Sequence, residues 1–89
     1  MVIEHRLAVR AVAQIAAEAA REASPELTVA GVLLGDGGTS YVEILINDEG
    51  SDDESSQITV GAFRNAGPAA LKEQISQHLQ RHLDARPPA

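Results

Sequence analysis

The chain has 89 residues, 44% of them hydrophobic, with one Phe, one Tyr, no Trp, no Cys and a formal net charge of −6. A chain of that length reads as one domain burying about 60–65% of its unfolded surface, and the lack of cysteine excludes disulfides, thiol chemistry and thiolate metal sites. The acidity is uneven: Glu22 to Phe63 holds nine of the thirteen carboxylates and no Lys or Arg, which opposes polyanion binding there.

In chain order, residues 3–23 read as one long helix, rich in alanine, the best helix former. At 100° per residue Val9, Val12, Ala16, Ala19 and Ala23 share one face, with Arg10, Gln14, Glu18, Arg21 and Glu22 opposite. Ile3 and Leu7 fall near the polar side and break that pattern. Ser24-Pro25 ends the helix, because a residue before proline avoids the α region.

Residues 27–34 (LTVAGVLL) read as a first strand, and Gly35-Asp36-Gly37-Gly38 as a turn. Residues 41–47 (YVEILIN) form a second strand, with Val42, Ile44 and Ile46 on one side and Tyr41, Glu43 and Leu45 on the other. Residues 48–56 are a polar loop. Residues 57–63 (QITVGAF) form a third strand, for which alternation points Ile58, Val60 and Ala62 inward. Gly67-Pro68 opens the last helix, 68–85, with proline at its favoured first position. Leu71, Ile75, Leu79 and Leu83 make its buried stripe, and residues 86–89 a loose tail.

The expectation is an α+β fold: an α-β-β-β-α two-layer sandwich, its three-stranded antiparallel meander carrying two helices packed on one face. Arg6, Arg10, Glu4 and His5 interrupt any apolar leader core, and no apolar run approaches the roughly 18 residues of a membrane span. The expected location is the cytoplasm.

The outer strands of this meander are the uncharged ones, while the central strand carries Glu43. Edge strands usually carry charge that prevents pairing with other chains. The expectation is a homodimer, formed by edge pairing or by the open sheet face, with Val29, Gly31, Leu33, Tyr41, Leu45, Thr59 and Phe63 at the interface.

Chemical motifs are sparse. His78 and His82 stand at the i, i+4 spacing of metal ligands, but Leu79 sits where a zincin needs glutamate, so no metal site is expected. Asp48, Glu49, Asp52, Asp53 and Glu54 form an acidic loop available to a basic partner. Counted from Asp48, the sixth residue is Asp53 and the twelfth Thr59, which fails the calcium-loop pattern. The glycine-rich turn opens no helix and carries Asp36, so it is no phosphate cradle. No nucleophile–histidine–acid set can be assembled from the sheet region, and no cofactor is expected.

The element order resembles that of double-stranded RNA-binding domains, whose last helix opens on a lysine-rich patch. Here that stretch is Gly67-Pro68-Ala69-Ala70-Leu71-Lys72-Glu73, with one lysine. The order, with its long first helix, also resembles the small nucleoid-associated proteins of the YbaB family, over the strand-loop-strand-helix run Val42 to Leu83. Those resemblances imply a dimeric DNA- or RNA-associated protein, which the charge map opposes. The favoured expectation is a small acidic non-enzymatic protein acting through protein–protein contacts, as an adaptor, assembly factor or chaperone-like dimer. An accessory subunit of an enzyme is a further alternative.

Overall fold

A computed structural model describes residues 8–34, 41–50 and 58–85, with the side chains of Ile58 and Thr59 outside that description. Five elements follow one another: helix α1 (Val9–Ala23), strands β1 (Leu27–Leu34), β2 (Tyr41–Asp48) and β3 (Ile58–Arg64), and helix α2 (Pro68–Asp84). The expected α-β-β-β-α order is the observed one. Ile3, Leu7, the glycine-rich turn and the tail 86–89 lie outside the described residues.

The strands form one antiparallel meander in the order β1-β2-β3. Both helices pack on the same face, α1 over β1 and alongside α2, and α2 over β3. The inner face of β2 supplies Val42, Ile44 and Ile46, all at most 2% exposed. From the helices come Val12, Ala16, Ala19 and Ala20, and Leu71, Ile75 and Leu79. The small side chains of α1 let its backbone lie close to the sheet. Ala20 belongs to that buried face, whereas Val9, expected on it, is 45% exposed at the first turn.

The expected side-chain directions are reversed at Val60, Ala62 and Phe63 in β3 and at Val29 in β1. In β3, Val60 is 55% exposed and Phe63 is 5% exposed, so Phe63 faces the helices and not the open face. The register explains it: Phe63 stands opposite Val42 and Gly61 opposite Ile44, both inner residues. A seven-residue strand can bury either alternate set, and the set holding the phenyl ring removes more apolar area from water. Gly61 makes that possible. A Cβ there would lie 2.6 Å from Cε2 of Phe63 and 3.3 Å from Cδ2 of His78.

In β1, the pairing shifts between Val29 and Gly31, leaving Ala30 as an inserted residue. A bulge of this kind reverses the side-chain parity on its two sides. Val29 therefore pairs with Ile46 and packs against the core, while Gly31 and Leu33 pair with Leu45 and Glu43 on the other face. Val29 does not share a face with Gly31 and Leu33 as the sequence reading supposed.

Helix α2 is seated by Gly67, whose φ of 107° and ψ of 163° lie in a region that only glycine occupies readily. Pro68 follows at the first helical position, and the Leu71 N–H donates to the Gly67 carbonyl at 3.0 Å. Among the described residues no helix is long and apolar enough to cross a membrane.

Candidate functional site: the open face of the sheet

With both helices on one side, no described element covers the other side of the sheet. The register lays its residues out in rows. Tyr41 stands beside Arg64; Leu33, Glu43 and Ala62 form the next row; Gly31, Leu45 and Val60 the row after. Leu33 and Tyr41 are each 57% exposed and Val60 55%. Leu45 is half-buried between its neighbours, and Ala62 is exposed. Of the residues anticipated at an interface, Gly31, Leu33, Tyr41 and Leu45 share this face. Thr59 pairs with Ile46 through its backbone, and its side chain is outside the described residues.

Two charges sit in this patch, Glu43 and Arg64, one of each sign. Neither side chain forms an ion pair among the described residues. In a protein carrying −6 overall, the rows from Tyr41 to Leu45 thus hold one charge of each sign, with the next carboxylate, Glu49, beyond them against Asn47.

The edges are built differently. The Arg64 N–H donates to Oε1 of Gln74 at 3.0 Å, and Nε2 of Gln74 donates to the Arg64 carbonyl at 3.0 Å. A side-chain amide thereby takes the place of a neighbouring strand at the end of β3. Because alternate residues of a strand aim their peptide groups to the same side, the N–H and C=O of Val60 and Ala62 point to that outer edge too. On β1 the bulge at Ala30 breaks the regular repeat that an incoming strand would need. Neither feature was visible as an isolated residue. Gln74 and Ala30 carry no motif; only the register gives them a role.

The acidic loop divides. Asp48, expected to be solvated, is fully buried at the end of β2, where continuing the alternation of Val42, Ile44 and Ile46 places it. Its Oδ2 lies 2.8 Å from Nε2 of His82, and its Oδ1 accepts the Gly50 N–H at 3.0 Å. An ionised carboxylate only accepts, so Nε2 carries the proton of that bond. Desolvation explains the pairing: a buried carboxylate must be hydrogen-bonded or leave the interior. Glu49 is exposed and accepts a bond from the Asn47 carboxamide at 2.6 Å. Asp52, Asp53 and Glu54 lie outside the described residues.

The two histidines separate as well. His82 belongs to Asp48, while His78 meets Phe63 edge to face, ring centres 5.4 Å apart. Burial lowers the pKa of His78, and the nearby positive charges of Arg81 and His82 add to the effect. Among the described residues, no three His, Cys, Asp or Glu side chains gather as a metal site. On the helix side, Lys72 lies 2.6 Å from Glu22 and ties α2 to α1, and that hydrogen bond raises the Lys72 pKa. A shallow, open cleft of about 240 Å³ between α1 and β1 is lined by Ala17, Arg21, Pro25, Leu27, Thr28 and Val29. It brings together no acid, base and nucleophile.

Compared with family descriptions, curated proteins and solved structures, the chain matches none.

Proposed function

We propose that this is a small acidic, non-enzymatic protein acting through protein–protein contacts, and that its first partner is a second copy of itself. The observation carrying the reading is the uncovered sheet face, with Leu33, Tyr41 and Val60 each more than half exposed. Along β2, Tyr41 alternates with Val42, Ile44 and Ile46, each at most 2% exposed. Large apolar side chains held contiguously in water mark interaction surfaces, because covering them recovers the hydrophobic free energy that folding left unused. The patch holds one cation, Arg64, beside one carboxylate, Glu43, which favours a protein surface over a polyanion. An adaptor, assembly factor or chaperone-like role follows from such a surface. Sedimentation equilibrium from low to high micromolar concentration is the test. A rising population at twice the 9.4 kDa chain mass is expected, and a single 9.4 kDa species throughout contradicts the reading.

A further inference from the structure

We infer that two copies pack open face to open face, about a two-fold axis running along the strands between β2 and β3. This rests on the self-association just proposed and names its geometry. Three observations lead there. First, the two edges resist strand addition: Gln74 occupies the backbone groups of Arg64 on one side, and a bulge interrupts β1 on the other. Second, both copies carry −6, so they approach most readily where charge is balanced, which is the part of this face holding Glu43 and Arg64. Face-to-face packing also sends the helix layers outward, keeping Glu18, Glu22, Glu73 and Asp84 of the copies far apart.

Third, the register selects the axis. A two-fold axis along β2 itself would set Glu43 against the partner's Glu43 and bury like charges together. Moving the axis between β2 and β3 sets each residue over the cross-strand neighbour of its own copy. Leu45 then covers the partner's Val60, and Tyr41 lies under the partner's Arg64, a stacking guanidinium favours. Glu43 stands one row, about 7 Å along the strand, from that same guanidinium. Among axes running along the strands, this one brings the opposite charges nearest without setting Glu43 or Arg64 against its own symmetry mate. Leu33 falls at the rim. The contact is small, at the low end of specific interfaces, below ~1,200 Å² in total.

The experiment combines sedimentation equilibrium with amide hydrogen exchange on the intact chain. Compared are the wild type, Val60→Glu, Glu43→Arg, Arg64→Glu and the double charge exchange E43R/R64E, each checked for folding by circular dichroism. The expected result is loss of the dimer in Val60→Glu, about tenfold weaker association in each single exchange, and partial recovery in the double, which restores the charge pair but not the stack on Tyr41. Val60 and Ala62 amides should exchange equally fast in monomer and dimer. A dimer that survives Val60→Glu and protects those two amides pairs by its edge, overturning this geometry but leaving self-association standing. A double exchange that associates no more tightly than the weaker of the two single exchanges overturns the axis. A wild type that stays monomeric overturns both this inference and the reading beneath it.

Discussion

One sheet has two faces made from the same strands, and they differ in what their residues meet. Val42, Ile44 and Ile46 are sealed by two helices, while Tyr41, Glu43 and Leu45, interleaved with them along β2, look onto a side that no described helix covers. The chain's stability therefore comes from one face, and the other is where an apolar surface is left over. The difference teaches that exposure here is a property of layer, not of residue type: Val42 is fully buried, whereas Val60, the same side chain in a paired strand, is 55% exposed.

The sharpest way to break this contrast is to truncate one residue from each face and measure urea unfolding. Ile44→Ala should cost about 3 kcal/mol, since it leaves a cavity between the sheet and helices. Val60→Ala should cost the monomer about 0.5 kcal/mol or less. Equal losses would mean the two faces are not energetically distinct.

A comparable effect is expected from the buried end of the covered face. His82→Ala removes the Nε2 donor 2.8 Å from the fully buried Asp48 carboxylate, and should destabilise by about 2 kcal/mol. The Gly50 N–H remains to that carboxylate, so His82→Gln, which restores a donor, should recover part of the loss.

Third comes the hinge that lays α2 on the covered face. Gly67→Ala imposes a Cβ at φ 107°, a strain of about 2 kcal/mol, while nothing lies within 4 Å of the added carbon. Thermal unfolding of this variant would show a lowered midpoint from backbone strain alone. An unchanged midpoint would mean that the turn readily adopts another conformation.

The smallest expected effect is a pH slope, again confined to the covered face. The folded state lowers the His78 pKa from its ordinary 6.5, chiefly through burial. Between the lowered value and 6.5 the unfolded chain binds more protons than the native one, so stability rises with pH across that window. The contribution is present above 6.5 and is lost as pH falls beneath it. Urea midpoints of wild type and His78→Gln at pH 7.5 and 5.5 should reveal a smaller acid loss in the variant; identical losses would sever the link to His78.

The fold was legible because its signals agree: alanine-rich and leucine-striped segments flank clean alternation in β2, with Ser24-Pro25 and Gly67-Pro68 as punctuation. The open face was legible only in part. Tyr41 and Leu45 were placed on it by alternation within their own strand. Phe63 was misdirected because Val60 and Ile58 read as inner residues, although Gly61 two positions before an aromatic was a sign that the ring needed room there. Val29 was misdirected because an inserted Ala30 leaves no mark in a uniformly apolar strand. Asp48 was legible in principle, one more step of the alternation of β2, but its charge made it read as loop. Gln74 and Arg64 could not be joined without knowing where β3 ends against α2.

The chain supplies its own reporter for the central claim, since Tyr41 is the single tyrosine, tryptophan is absent, and that ring lies on the open face at 57% exposure. Acrylamide quenching of its fluorescence should be followed from low to high micromolar protein, alongside the dimer fraction. Quenching that weakens in step with dimer formation is the predicted result. A dimer that forms while Tyr41 stays equally quenchable would place the contact elsewhere and contradict the account.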